Sequence, residues 1–559
     1  MRRRLLRLAC LALLAACATA PRRGAPPLEV KFDLKISGGR VIDGTGAPWF
    51  RADVGVRGDT IVAVGDLSAV PAAVVLDAAG QAVAPGFIDL LGWSHQAALV
   101  DPHLEGKVRQ GVTTEATGEG FSPGPLTAAQ AAEQAATRSD GLTWRTLGDF
   151  MRLLERRGTA LNFAFFVGAS NPRAMVLGLA DRDPTPEEMA AMEAIVEQAM
   201  GDGAVGLSTS LIYVPAVFAE TAEIVRLARV AARHGGVYFT HLRDEADRIG
   251  EALDEAFAIG REAAIPVNVW HLKVSGKQNW GRMPEVVEKI EAARREGLDV
   301  AANVYPYTAS ATSLTALVPV WALEGGYKAF RERLRDPAQR QRIAAEIPTS
   351  NFYLRVGGAE GVLVTSVPAP ELAAHRGRRL PEVAAAMGVE PVEALLRLYE
   401  ASPHSPGAIY FSMHEDDLRT ALRRPWVSLG ADSSAVVGAA RNEPAHPRAY
   451  GTFPRLLGRY ARDEGLMTLE EAVRRVTSQA ASRLKLWDRG MVRPGMKADL
   501  VVFDPAGIRD VATFEDPHHF SEGVLHVVVN GAPVLRDGAM TAALPGRVLR
   551  RPLCKGCKD

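Results

Sequence analysis

Between residues 185 and 432 the hydrophobic positions keep changing rhythm, from short apolar runs rich in β-branched and aromatic residues to longer segments with one apolar face. Thr185, Pro186 and Glu188 carry the pattern of a capping box, and Met189, Met192, Val196 and Ala199 then mark one stripe. A helix with its methionines in the core is expected there, followed by a strand at Ala204-Val205-Gly206-Leu207-Ser208. Helical periodicity over residues 223–234, 245–264 and 283–296 alternates with apolar runs at 237–241, 267–271 and 300–305. Such alternation predicts repeated β/α units around a parallel sheet.

The flanks read differently. Leu34-Lys35-Ile36-Ser37 and Thr60-Ile61-Val62-Ala63-Val64 alternate with period two, and the same character returns in Leu500-Val501-Val502-Phe503 and His526-Val527-Val528-Val529. The simplest architecture is a β/α barrel over residues 85–482 and a small β-sandwich made by both chain ends, residues 30–84 and 483–550, with 551–559 as a tail.

Three of the apolar runs end in groups that bind metals or protons: Val237-Tyr238-Phe239-Thr240-His241, Val267-Asn268-Val269-Trp270-His271, and Val427-Ser428-Leu429-Gly430-Ala431 before Asp432. One histidine at a strand end is commonly a hydrogen-bonded boundary residue. Three such groups in series fit a metal site assembled on one rim of a barrel.

Composition adds bounds. The 559 residues are 47% hydrophobic, enough for more than one core, and 65 Lys and Arg balance 65 Asp and Glu. Net charge therefore gives no reason to expect nucleic acid or an anionic bilayer as partner. At the N-terminus Arg2, Arg3 and Arg4 precede a short apolar stretch to Ala16, which reads as a secretory signal. Leu14-Ala15-Ala16-Cys17 resembles a bacterial lipobox, so residues 1–16 are expected to be removed and Cys17 lipidated. Ala16-Cys17-Ala18 offers plain cleavage as the alternative. Residues 17–29 then form a tether, and Ala18 suits sorting to the periplasmic face of the outer membrane. Cys10 is lost with the signal, while Cys554 and Cys557 suggest a small terminal disulfide in an exported protein.

The strings Gly38-Gly39-Arg40-Val41-Ile42-Asp43-Gly44-Thr45-Gly46, Ala84-Pro85-Gly86-Phe87-Ile88-Asp89, Thr240-His241-Leu242-Arg243-Asp244-Glu245, His271-Leu272-Lys273 and His446-Pro447-Arg448-Ala449-Tyr450-Gly451-Thr452-Phe453 together resemble the N-acyl-D-amino-acid deacylases (D-aminoacylases) of the amidohydrolase superfamily. The resemblance spans nearly the whole mature chain. It implies a distorted TIM-like (β/α)8 barrel with the β-sandwich, and zinc-dependent hydrolysis of small N-acyl amino acids.

Two departures stand out. Where the family places a His-x-His pair after its first barrel strand, this chain has Leu91-Gly92-Trp93, and His95 lies two residues beyond. Where the family carries a metal-binding cysteine, this chain offers Glu119, in a loop one residue shorter, with Glu115 as the second choice. The expectation is one zinc per chain on Glu119, His241 and His271, with Asp432 as general base for the attacking water. Arg448 matches the position that grips the substrate carboxylate, and Lys273, Tyr213 and Tyr305 match positions that support it. Tyr305 and Tyr307 are not separated by sequence. An amidohydrolase acting on a dipeptide or cyclic amide, or a non-catalytic lipid-anchored binding protein, are the alternatives. Stereochemical preference and oligomeric state are not encoded in any motif.

Overall fold

A computed structural model of the chain describes residues 31–137 and 140–551. Cys17 and the lipobox, Cys554 and Cys557 lie outside the described residues.

The centre is an eight-stranded parallel sheet: β1 (Phe87–Gly92), β2 (Val112–Thr117), β3 (Asn162–Gly168), β4 (Gly206–Ser210), β5 (Val237–His241), β6 (Val267–Val269), β7 (Val300–Val304) and β8 (Val427–Leu429), each hydrogen-bonded to the next. Almost every strand residue is buried, which is why these runs read as continuous apolar stretches. β8 returns to β1 through a single bridge, Gly92 to Ser433, with Asp432 N donating to Leu91 O at 2.7 Å. The barrel is thus nearly closed, and its seam lies beside the expected general base.

The helices form where periodicity placed them, at Pro186–Asp202, Thr221–Arg233 and Met283–Arg295. Both halves of the Thr185 capping box are made, with Glu188 N donating to Thr185 Oγ1 at 3.2 Å and Thr185 N to Glu188 Oε2 at 2.8 Å. The expected 245–264 helix starts later, at Ile249–Ala263, because Asp244 Oδ1 accepts from Ala246 N and Arg248 N and bends the chain over the rim first. That bend leaves Glu245 outside the helix.

The chain ends meet in a nine-stranded sheet. Leu500–Phe503 pairs antiparallel with Ala82–Pro85, in the register Leu500 to Pro85 and Val502 to Val83. Leu34, Ile36, Val54, Leu500, Val502 and Val528 share one core, so the two flanks form a single sandwich domain. The 85–482 segment holds more than a barrel, however. Between β7 and β8 a three-stranded antiparallel sheet, Ser310–Ser313, Val362–Ser366 and Gly407–Tyr410, has its own core around Leu314, Phe330, Leu395 and Tyr399.

Gly92 shows what replaced the family's His-x-His pair. A Cβ at Gly92 would lie 2.0 Å from the carboxyl carbon of Glu115. Glu115 cannot retreat: Ser94 N and Oγ hold it at 2.7 and 2.6 Å, and Lys107, also 2.7 Å from Asp89, stands 3.4 Å away. All three charged groups are buried, and burial drives Glu115 above its usual carboxylate range against the pull of Lys107. Gly92→Ala should therefore cost about 3 kcal/mol, against about 1 kcal/mol for Thr185→Ala at the helix cap, read from unfolding midpoints. Equal shifts for the two variants would contradict the packing at Gly92.

Candidate metal centre

β5 ends in His241, the turn after β6 presents His271, and the loop after β2 folds Glu119 back between them. Glu119 Oε1 accepts from His241 Nδ1 at 2.8 Å and from His271 Nε2 at 3.0 Å. One ligand atom from each side chain lies within 4.8 Å of the others, and all three residues are buried. The imidazole planes meet at 82° with centroids 4.4 Å apart, so both edges face the carboxylate. His271 and Asp432 adopt left-handed backbone, φ 36° and 49°. Each such residue costs about 1–3 kcal/mol and persists only when its surroundings hold it. His271 N is held by Asn303 Oδ1 at 3.3 Å, and Asp432 N by Leu91 O.

A second carboxylate backs the first. Glu245 Oε1 lies 2.9 Å from His271 Nδ1 and 2.5 Å from Lys273 Nζ, and Glu245 Oε2 lies 3.4 Å from His241 Nε2. Each imidazole therefore has one nitrogen on Glu119 and the other beside Glu245, closely for His271 and at 3.4 Å without a hydrogen bond for His241; a carboxylate behind the ring orients a metal-binding histidine. Burial alone would lower the His241 imidazole, but Glu245 and Glu119 outweigh it and lift the group to about 9. Burial would likewise raise Glu119, yet the charge of His271 and the hydrogen bonds from both histidines hold it well below the usual range. Two imidazole nitrogens and one carboxylate oxygen converging on one buried point fit a catalytic zinc, which takes three protein ligands and keeps a position open.

The other candidates sort cleanly. Glu115 points to Ser94 and Lys107, away from the histidines. His95 donates to or accepts from Thr117 Oγ1 at 2.8 Å, packs against Phe150 and Phe165, and is pushed by burial down to about 4. Among the described residues it takes no part in the metal-ligating cluster.

Asp432 is held on both oxygens, by Trp93 Nε1 at 3.3 Å and by Arg448 Nη1 at 2.9 Å. Trp93, which stands where the family has its second histidine, thus serves the carboxylate instead of a metal. Arg448 Nη2 donates to Ala311 O at 3.3 Å, and its guanidinium sits 4.5 Å over the Tyr305 ring. Its Nε and Nη1 are buried without a hydrogen-bond partner; the Asp432 contact is close but misaligned. Tyr213 stacks edgewise on His241 and pairs with Thr312 Oγ1 at 2.8 Å. Burial drives Tyr213 and Tyr305 far above the ordinary phenol range, so both are hydroxyl donors at neutral pH. Tyr307 turns instead to Asp510 at 3.4 Å, which separates the two tyrosines.

Glu119, His241, His271, Asp432, Arg448, Lys273, Tyr213 and Tyr305 all line one cavity of about 400 Å³. Sequence reasoning missed Glu245 and the role of Trp93. Glu245 lies four residues after His241 inside a string already singled out, but the expected helix start masked it.

The sequence profile of the amidohydrolase family matches residues 74–535. The chain is 40% identical to a D-aminoacylase of Alcaligenes xylosoxydans xylosoxydans over 93% of its own length and 98% of that protein's. It is 38% identical to an N-acyl-D-glutamate deacylase of the same organism, covering 94% and 98%. Among solved structures it resembles the N-acyl-D-glutamate deacylase of Bordetella bronchiseptica complexed with zinc and a phosphonate mimic of the tetrahedral intermediate. That likeness has a TM-score of 0.78 at 36% identity, over 93% of this chain and all of that one. A metal-ligating cluster at the rim of a nearly closed parallel barrel, profile and pairwise likeness agree: the chain belongs to the amidohydrolase family, in the branch of the D-aminoacylases and N-acyl-D-amino-acid deacylases.

Proposed function

We propose that this protein hydrolyses the amide bond of N-acyl-D-amino acids, with one zinc per chain held by Glu119, His241 and His271. The observation that carries this reading is the shared cavity. The three ligand atoms, the Asp432 carboxylate, and a buried guanidinium whose Nε has no hydrogen-bond partner and whose Nη1 stands 2.9 Å from that carboxylate all line the same 400 Å³. The D configuration rests on the substrates named for the relatives.

Bound zinc would supply a Lewis acid for the amide carbonyl and lower the pKa of water toward neutrality. Asp432 takes the proton of the attacking water and passes it to the leaving nitrogen, a role that its place on the cavity wall permits. Arg448 offers Nε and Nη1 to the substrate carboxylate, and Lys273 and the Tyr305 hydroxyl stand on the same side. Tyr213, kept protonated, donates toward the carbonyl oxygen. Glu245 orients both imidazoles without touching substrate. Cys17 extends the proposal to location, with the enzyme lipid-anchored at the periplasmic face of the outer membrane; a Cys17→Ser chain should leave the membrane fraction.

Metal analysis alongside a panel of N-acyl-D- and L-amino acids tests the reading, with about one zinc per chain and turnover of the D series expected. A metal-free protein that stays inert after zinc addition would overturn it. His271→Ala should lose the metal. Asp432→Asn should keep it and lower kcat by about 10²–10⁴-fold, and a variant as fast as the parent would refute the assigned base. Glu245→Gln should weaken zinc affinity by about 10–100-fold while leaving KM close to that of the parent once zinc is saturating.

A further inference from the structure

A second, larger chamber of about 830 Å³ adjoins the catalytic cavity and shares Phe121, Ile212, Tyr213, Glu245, Thr312 and Phe352 with it. Beyond these shared residues its walls combine an apolar half, with Leu179, Val217, Val318, Leu323, Tyr327 and Val356 in it, and a polar half made largely of serines, Asp244 and two arginines. Its two arginines are already engaged. Arg243 donates to Glu255 at 2.8 and 2.9 Å, and Arg355 to Asp244 at 2.7 Å. Both guanidiniums thus already face carboxylates, whereas an apolar group would cover the aliphatic part of the walls. The outer surface repeats the character. Phe121 and Val320, 39% and 43% exposed, line the chamber, and Leu354, 57% exposed, sits on the short helix Asn351–Arg355 that supplies Phe352. Exposed apolar side chains that also line a cavity, as Phe121 and Val320 do, mark a binding site more than isolated exposed residues do.

The chamber is twice the size of the catalytic cavity, far more than any amino-acid side chain fills. Its position also matters. Arg448, Asp432 and Lys273 line the catalytic cavity but not the chamber. A substrate whose carboxylate lies on Arg448 and whose amide lies at Glu119, His241 and His271 continues toward the chamber with its acyl group. We propose that the chamber is an acyl subsite and that the substrates are amino acids N-acylated with a long apolar chain, of the fatty-acyl class. The inference rests on the deacylase reading above. In the reaction water gives its hydroxyl to the acyl carbon, the C–N bond breaks, and the nitrogen takes the remaining proton. The products are a long-chain carboxylic acid and a free amino acid.

The test uses the zinc-loaded full chain and two substrate series. One holds D-alanine fixed and lengthens the acyl group from acetyl to dodecanoyl; the other holds acetyl fixed and enlarges the side chain from D-alanine to D-tryptophan. kcat/KM should rise about two- to fourfold per added methylene in the acyl series, the value of burying one CH₂. A flat acyl series, or a rise confined to the side-chain series, would overturn the proposal. Ala316→Trp, which fills the chamber, and Val320→Asp, which charges its mouth, should each lower the dodecanoyl-to-acetyl ratio by at least about tenfold, by the same burial argument. Calorimetric titration with dodecanoate and acetate gives a readout free of turnover. Dodecanoate should bind the parent and lose affinity in Ala316→Trp. If it binds so while no N-acyl amino acid is cleaved, the deacylase reading fails and the apolar ligand class stands. If it does not bind, the chamber assignment fails whatever the activity.

Discussion

The site depends on one buried carboxylate shared by two imidazoles. Among the described residues Glu119 is the acid that reaches His241 Nδ1 and His271 Nε2 together, and it sits where burial alone would make its charge expensive. The cost is met by alternation. Glu119, the two histidines, Glu245 and Lys273 form a chain in which each carboxylate faces imidazole nitrogens or the ammonium of Lys273. Remove one link and a neighbour is left buried and uncompensated, a situation worth several kcal/mol. Zinc would enter a cluster already arranged for positive charge at its centre.

The seam of the barrel carries the other half of the chemistry. β1 and β8 are joined by the Gly92–Ser433 bridge and by Asp432 N on Leu91 O instead of a full ladder, and the indole of Trp93 and the guanidinium of Arg448 both reach Asp432 beside that seam. Where the resemblance leads one to expect two histidines, this chain puts Leu91 in the core and turns Trp93 to Asp432. Arg448 Nη1 stands 2.9 Å from Asp432, so an anion drawn to that guanidinium would compete with the Asp432 carboxylate for it.

Much of this was legible in the sequence. Period-two flanks and β/α alternation predicted the sandwich and barrel, because a sheet buried on both faces and a helix with one apolar stripe leave distinct periodicities. His241, His271 and Asp432 could be read because each closes an apolar run. Glu119 was found only by comparison with a family motif, since nothing in its own neighbourhood separates it from Glu115; the fold separates them by turning one inward to the rim and the other to Lys107. Glu245 was hidden by helical periodicity that starts four residues too early. The three-stranded insertion was missed because its short strands are spread among helices with ordinary amphipathic patterns.

That insertion has a consequence for how the protein changes over time. Glu119, His241, His271 and Asp432 sit at or just beyond the ends of barrel strands, whereas Thr312, Val318, Leu323, Tyr327, Phe352 and Val356 belong to a segment with a separate hydrophobic core. Mutations confined to this separate core would reshape the space beside the site and would reach the catalytic cavity through Thr312 on Tyr213 and Ala311 O on Arg448. Under the proposed acyl reading, preference could drift in the insertion while the barrel strands keep their own core.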